Sequence, residues 1–348
     1  RYDLGLSPMG TTYRAEGLSI GRDYMRFEGM TMSSQLSRSD LEVEETIGRG
    51  ACSIVKKAKL AVGGNVKANI PKGETSRPTH MALKMFPIRR DKKRREMLLK
   101  ELRSLCSLEC DCLVTLIGAF FDDDEGTVTL VLEYMDRGSL GSLLGSDPGT
   151  NSSTSNHLSL ISHVESNLGR NGLPEKATAS IAYQMLWGLG YLHHENMIHR
   201  DVKPGNVLVN TRGEVKLSDF GIASQREVGQ EMNVTVVGTT RYMSPERLRA
   251  KPYGSSSDLW SLGLVLLECC TGKSPFEDVT SQVELLLTVE ETSADEWIPV
   301  DTLSPGLVEI LKSCLQQSPE RRIPASILIG SPWFGDMGIE SLDDAADV

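Results

Sequence analysis

The stretch Asp258-Leu259-Trp260-Ser261-Leu262-Gly263-Leu264-Val265-Leu266-Leu267-Glu268-Cys269-Cys270-Thr271 constrains the fold of this chain more than any other. Helical spacing leaves apolar residues on nearly every side of it. A helix apolar all round is stable only when other elements enclose it. The stretch therefore predicts a buried helix at the centre of a large, mainly helical body. Other helices fit around it. One opens at Pro174, a position proline tolerates, and keeps Ile181, Met185, Leu186, Leu189 and Leu192 at helical period. Residues 303–317 and 324–329 supply more.

The first part of the chain follows a different period. Residues 41–47 alternate well enough for a strand, Gly48-Arg49-Gly50 makes a turn, and 53–60 returns as the second strand of a hairpin. Residues 61–79 hold Gly63, Gly64, Pro71, Gly73 and Pro78 and read as an inserted loop. Residues 80–86, 113–121 and 127–133 read as strands. Residues 91–107 have helical spacing, with Met97, Leu98, Leu102 and Leu105 on one face. The class is α+β: a small, mostly antiparallel sheet with one helix, then the larger helical part. Residues 1–40 have little periodicity and are expected to be an extension without a core of its own. Residues 145–172 are dominated by Ser, Asn and Gly and read as an insertion, with a short helix near 157–164. Residues 335–348 are expected to be an acidic tail.

The 348 residues carry a formal net charge of −10, from 37 basic and 47 acidic side chains. Such a balance disfavours general nucleic-acid binding. No run of apolar residues is long enough to cross a membrane as a helix, so membrane insertion is not expected. Seven cysteines in a large chain point to reduced thiols and an intracellular setting. The expected location is the cytoplasm, with shuttling to the nucleus left open. Cys110-Asp111-Cys112 has no second ligand pair, so it reads as two small apolar residues in a turn after a helix rather than as a metal site.

The chemistry is carried by His199-Arg200-Asp201-Val202-Lys203-Pro204-Gly205-Asn206, followed by Asp219-Phe220-Gly221. The Asp201 carboxylate can accept a hydrogen bond from a substrate hydroxyl and aim it at a γ-phosphate. Lys203 can reach the transferring phosphoryl group. Asn206 and Asp219 offer the oxygen ligands that Mg2+ prefers. Upstream, Ile47 and Gly48-Arg49-Gly50 precede Ser53, Ile54 and Val55 between two strands, where backbone N–H groups can cover phosphates and Val55 can pack on a base. Ser53 stands where a third glycine is usual. Lys84, in Met81-Ala82-Leu83-Lys84, is mid-strand between apolar neighbours and needs a partner. Glu101 on the following helix can supply it, holding Lys84 against the α- and β-phosphates. The backbone from Leu132 through Glu133 and Tyr134 to Met135 is expected to hydrogen-bond adenine.

From residue 41 to 334 the chain resembles the eukaryotic protein kinases. The resemblance implies a two-lobed protein kinase fold: an N-lobe at 41–135, a C-lobe at 136–334 carrying the insertion, and ATP in the cleft with Mg2+. It implies catalytic roles for Lys84, Asp201 and Lys203, metal-binding roles for Asn206 and Asp219, and nucleotide-site positions for Ile47, Gly48, Gly50, Val55, Ala82, Glu101, Glu133 and Met135. Leu105, Leu116, His199 and Phe220 fall where this family stacks its regulatory spine. The resemblance further implies an ion pair of Glu246, in Ser244-Pro245-Glu246, with Arg322. It also implies that Asp258 holds the backbone of the catalytic loop.

A narrower resemblance lies in Val237-Gly238-Thr239-Thr240-Arg241-Tyr242-Met243-Ser244-Pro245-Glu246-Arg247-Leu248, in Gly118-Ala119-Phe120-Phe121 and in Met135-Asp136-Arg137-Gly138-Ser139-Leu140. It looks like the mitogen-activated protein kinase kinases. The expectation is a dual-specificity enzyme that phosphorylates Thr and Tyr in a MAP kinase activation loop. An upstream MAP kinase kinase kinase would activate it by phosphorylation at Thr235. The first of the family's two loop phosphosites falls on Glu231, which is either an ordinary loop residue or one whose single charge mimics a phosphate in part. The basic run Arg89-Arg90-Asp91-Lys92-Lys93-Arg94-Arg95 could, with Arg200, receive the phosphate on Thr235. Two alternatives stay open: a kinase of the same group acting on Ser and Thr alone, and a kinase-fold scaffold without chemistry.

Overall fold

The computed structural model describes residues 3–7, 10–15, 18–20, 25–27, 30–32, 38–50, 53–61, 79–87, 98, 102, 105, 108–122, 125–146, 172–219 and 240–348. The chain divides into two compact units. One comprises Arg1–Glu109 and Val114–Tyr134, the other Cys110–Leu113 and Met135–Val348.

The smaller unit holds two antiparallel sheets. Strands β1 (Asp3–Ser7), β2 (Gly10–Ala15), β3 (Leu18–Ile20), β4 (Met25–Phe27) and β5 (Met30–Met32) form a meander in chain order. The sequence reading expected here an extension with no core and little structure of its own. Each strand has six residues or fewer, too short for alternation to register as a pattern. The pairing also leaves connections of only two residues, Pro8-Met9, Glu16-Gly17 and Glu28-Gly29. Ile20 is fully buried, and β3 and β4 lie against a strand of the second sheet.

That second sheet consists of β6 (Leu41–Arg49), β7 (Ile54–Leu60), β8 (His80–Pro87), β9 (Leu116–Asp122) and β10 (Thr127–Glu133), in the order β6-β7-β8-β10-β9. The strands match the sequence reading with two shifts. Strand β6 runs on through Gly48 to Arg49, and the hairpin closes with the Gly50 N–H on Ser53 O at 2.9 Å. Strand β9 begins at Leu116 rather than residue 113, because Leu113 is drawn away into a parallel bridge with Leu217 of the larger unit's own chain segment. One face of the sheet builds the core from Leu41, Ala58, Met81, Leu83, Ile117, Phe120 and Val131. Leu98, Leu102 and Leu105 are helical, and Leu98 and Leu102 are fully buried, as the predicted apolar face requires.

In the larger unit, short helix α1 (Leu140–Leu144) is capped by Ser139, whose Oγ accepts from the Ser142 N–H. Helix α2 (Glu175–His194) follows, with Pro174 just before its first turn. A small sheet of β11 (Gly138–Ser139), β12 (Val207–Val209) and β13 (Val215–Leu217) comes next. Then come α3 (Pro245–Leu248), α4 (Ser256–Thr271), α5 (Gln282–Glu291), α6 (Ala294–Trp297), α7 (Pro305–Cys314), α8 (Ala325–Leu328), α9 (Pro332–Asp336) and α10 (Leu342–Ala346). Helix α4 is buried from Ser257 to Cys269, as its all-round apolarity demands. It packs so closely on the end of α7 that a Cβ on Gly263 would lie 2.8 Å from Cys314 Cβ and 2.9 Å from Leu315.

The acidic C-terminal residues form more than a tail. Ile339 and Ala345 are buried, the Ser180 hydroxyl donates to Ala345 O at 2.6 Å, and the Tyr183 hydroxyl donates to Glu340 O at 3.3 Å. The acidic residues dominate the composition there. What docks α10 on α2 is two apolar side chains and two backbone carbonyls. Among the described residues, no helix is long and apolar enough to cross a membrane.

Candidate active site

The loop from His199 to Asn206 lies between α2 and β12, and Asp219 follows β13 by two residues. The antiparallel β12–β13 hairpin therefore returns the chain to the loop it left. Asn206 O accepts both the Ser218 N–H at 2.9 Å and the Ser218 hydroxyl at 3.1 Å, which ties the residue before Asp219 to the end of the loop.

Asp258, in the first turn of α4, holds the start of the loop. Its Oδ2 accepts the His199 N–H at 2.9 Å and its Oδ1 the Arg200 N–H at 2.8 Å, while His193 Nε2 lies 2.9 Å from Oδ2. Burial of this carboxyl favours its neutral form. The hydrogen bond from His193 and the charges and N–H groups around it overcome that, so the group sits below the usual carboxylate range. His199 is fully buried, and burial pushes its imidazole down, towards the neutral form. Arg200 has φ +70°, a conformation rare for a non-glycine residue. Its backbone is fixed on both sides: its N–H by Asp258 and its carbonyl by Arg247 Nη1, which donates at 2.7 Å.

Asp201, Lys203 and Asn206 converge. Asp201 Oδ2 accepts from Lys203 Nζ and from Asn206 Nδ2, both at 2.8 Å, and Asn206 Nδ2 also donates to Asp201 O at 2.7 Å. Pro204 starts the short 3-10 turn of residues 204–206 that makes this contact possible. With its nitrogen committed twice, the Asn206 amide has its oxygen as the atom to offer a hard cation. Asp219, at φ +60°, supplies a carboxylate on the neighbouring strand exit. Two oxygen donors fit Mg2+, which typically takes one or two protein oxygens and completes its shell with water and phosphate.

A buried ion pair supports the helix behind this loop. Arg322 Nη1 donates to Glu246 Oε1 at 2.7 Å and Nη2 to Oε2 at 2.8 Å, while Ser257 Oγ donates to Oε1 at 2.7 Å. Burial opposes ionisation of Glu246. The guanidinium and the hydroxyl nevertheless hold its carboxyl down at about 2.

The smaller unit gathers the other candidates on one face of its sheet. Side chains alternate across a strand, so Met81 and Leu83 enter the core and Ala82 and Lys84 face the opposite way. Val55 pairs with Lys84 and Gly48 with Val55; Leu130 and Leu132 pair with Lys84 and Ala82. Gly48, Val55, Ala82 and Lys84 thus share a surface. Lys84 is buried, with Nζ 5.7 Å from the Phe86 ring centroid. Ile47 is 43% exposed where the β6–β7 register shifts. A Cβ on Gly50 would meet Ser53 Oγ at 3.1 Å. Glu133 is tied down at both ends: its N–H donates to Thr115 O at 3.1 Å, and its Oε1 accepts the Thr115 N–H at 2.6 Å. In the larger unit, Met135 is buried, and its carbonyl accepts the Gly138 N–H at 3.1 Å.

Glu101, Phe220, Glu231, Thr235 and the basic run from Arg89 lie outside the described residues. The sequence reading did not single out His193, although a histidine in the last turn of a helix, six residues before His199, was a signal.

The family model described as "Protein kinase domain" matches residues 41–334. The chain is 35% identical over 307 residues to Mitogen-activated protein kinase kinase 2 of Arabidopsis thaliana, covering 86% of this chain and 74% of that one. It is 33% identical over 323 residues to Mitogen-activated protein kinase kinase 3 of the same plant, covering 92% of this chain and 55% of that one. To the tobacco (Nicotiana tabacum) protein Mitogen-activated protein kinase kinase SIPKK it is 32% identical over 349 residues, covering 94% and 87%.

Proposed function

The chain belongs to the MAP kinase kinase family and is an ATP-dependent protein kinase; on that footing, we propose that it moves the γ-phosphate of ATP to the Thr and the Tyr of a MAP kinase activation loop. The observation that carries the reading is the convergence of Lys203 Nζ and Asn206 Nδ2 on one oxygen of Asp201. Asp201 receives the substrate hydroxyl as a hydrogen-bond donor and aims its oxygen. Lys203, already at 2.8 Å from Asp201, neutralises charge on the transferring phosphoryl group. Asn206 and Asp219 hold Mg2+, which when bound screens the charge of the β- and γ-phosphates. Lys84, on the ATP-facing surface with Gly48, Val55 and Ala82, positions the α- and β-phosphates, with Glu101 as its partner. The Glu133–Met135 segment orients adenine. Positioning and electrostatic stabilisation supply the rate, because the loose transition state asks for little covalent help.

Thr235 is the activating phosphosite, filled by an upstream MAP kinase kinase kinase, and the enzyme works in the cytoplasm. The test is phosphosite mapping of a catalytically dead MAP kinase after incubation with this protein, ATP and Mg2+. Wild type, Thr235→Glu and Lys84→Met run in parallel. Phosphate on both Thr and Tyr of a Thr-x-Tyr loop, raised by Thr235→Glu and absent with Lys84→Met, is the expected result. Phosphate confined to serines and threonines elsewhere would refute the substrate assignment.

A further inference from the structure

A cavity of about 270 Å³ opens in the larger unit, where the last turns of α2 meet the starts of α4 and α8. Gly190, His193, Leu259, Pro324 and Ala325 are among its walls. Gly190 keeps it open. The residue stands inside α2, where glycine weakens a helix relative to alanine. Its φ is not positive. Among the described residues, an added Cβ would meet only Ala325 Cβ, at an ordinary 3.8 Å. Neither backbone geometry nor packing therefore calls for a glycine here. Gly188, in the same helix, shows the contrast: a Cβ there would crowd Cys112 O at 3.0 Å.

The polar groups around the cavity narrow what it can hold. Arg322 also borders it but has no charge to spare. Its Nε donates to Gln316 O, its Nη1 to Glu246 Oε1 and Ser256 O, and its Nη2 to Glu246 Oε2 and Gln317 O, which engages all five N–H groups. An anion therefore gains nothing from it. His193 is different. Its side chain is 14% exposed, and its Nε2 lies 2.9 Å from Asp258 Oδ2. An ionised carboxylate only accepts, so Nε2 carries the hydrogen. In the neutral ring Nδ1 then presents a lone pair, and no described residue donates to it.

We propose that this cavity binds a small monocyclic phenol, its ring against Leu259, Pro324 and Ala325 and its hydroxyl donating to His193 Nδ1. The volume sets the size: it falls just under the ~300–1,000 Å³ of sites for drug-sized ligands, which leaves room for one ring and its substituents. The apolar walls disfavour strongly hydrated groups, and the single acceptor asks for a donor. A phenol supplies one O–H on an otherwise apolar body. The cavity lies apart from the Asp201 carboxylate, yet it reaches that loop. A hydrogen bond to Nδ1 polarises the imidazole and strengthens the Nε2–H bond to Asp258. Asp258 in turn holds the His199 and Arg200 N–H groups. Occupancy is thereby coupled to turnover, whichever protein receives the phosphate.

The test measures binding of 4-bromophenol and 4-bromoanisole to wild type, Gly190→Leu and His193→Phe by calorimetry, and locates bromine by anomalous scattering in soaked crystals. Intrinsic ATP hydrolysis is followed alongside, because it does not depend on the MAP kinase assignment. Wild type is expected to take 4-bromophenol with the bromine inside the cavity. It should bind the anisole, which has no O–H, at least about fivefold more weakly, the ratio that one hydrogen bond supplies. Its hydrolysis rate should change with the phenol. Gly190→Leu fills the cavity from a position with room for a side chain. It should fold, hydrolyse ATP at the wild-type rate, and neither bind the phenol nor respond to it, even if His193→Phe proves unstable. Folded His193→Phe should bind the two compounds alike. Equal wild-type affinity for both compounds, no bromine in the cavity, undiminished binding by Gly190→Leu, or binding with no change in hydrolysis would each overturn the proposal.

Discussion

Arg200 illustrates how single residues carry the site. A non-glycine at φ +70° costs on the order of 1–3 kcal/mol. It persists because Asp258 and Arg247 hold its N–H and its carbonyl. Asp258→Asn keeps the volume but turns one acceptor oxygen into a donor, so at least one of the donors from His193, His199 and Arg200 loses its acceptor. An unsatisfied buried donor costs about 1–3 kcal/mol. The variant is expected to unfold at lower denaturant concentration and to lose turnover at least about tenfold, while a surface variant such as Lys251→Ala does neither. Asp201→Asn should behave differently. Its fold and ATP affinity should survive, and the rate of phosphoryl transfer should fall by about 10²–10⁴, the usual contribution of a positioned acid or base. Kinetics beside a thermal-shift titration with ATP would separate the two variants. At this scale much was readable beforehand. Asp201, Lys203 and Asn206 stand in one contiguous run, and their side chains meet. The Glu246–Arg322 pair and the role of Asp258 followed from the resemblance. His193 escaped because a helix-end histidine usually has a blander role than bonding a carboxylate 65 positions away.

At the scale of elements, the buried ion pair makes helix α3 sensitive to acid. Glu246 ionises near 2 in the folded chain and near 4.5 when unfolded. Its contribution is therefore fully present above about pH 4.5 and is lost as pH falls towards 2. Glu246→Gln should flatten that part of the stability–pH curve. It should also lower stability at neutral pH by about 3–5 kcal/mol, since Arg322 would be left buried without a counter-charge. Urea unfolding from pH 3 to 7 would check both statements; parallel curves for the two proteins would contradict them. Helix α4 offers a second test. Gly263→Ala adds helix propensity worth about 1 kcal/mol, yet its new Cβ would meet Cys314 and Leu315 at under 3 Å. A net loss of about 1–2 kcal/mol is expected from overpacking, and a stabilised variant would show that α4 and α7 can part at little cost. Element by element, α4 was readable because no pattern but burial suits its composition. The β1–β5 meander was not, because strands of three to six residues are too short to display a period.

For the molecule as a whole, the acidic end of the chain proves structural. Composition hid this, since Glu340, Asp343, Asp344 and Asp347 outnumber the buried Ile339 and Ala345. Removing residues 339–348 exposes the α2 surface they cover and deletes the acceptors of Ser180 and Tyr183. The truncated protein should melt several degrees lower, as about 1–3 kcal/mol implies for a chain of this size, with Asp201 chemistry retained. An unchanged melting temperature would show that α10 is not needed to cover α2.

The turn joining β12 and β13 is fitted to the same terminal helix. A Cβ on Gly213 would lie 1.8 Å from Ala346 O, so the hairpin leading to Asp219 has no room there for any other residue. This has a consequence in time. Ser180 meets Ala345 across 165 positions of chain. At the usual pace of synthesis, about 5–20 residues per second, roughly 8–30 s pass between the making of one partner and the other. Throughout that interval α2 and the β12–β13 turn stand uncovered on a growing chain. The larger unit can therefore complete its fold only once α10 has been made.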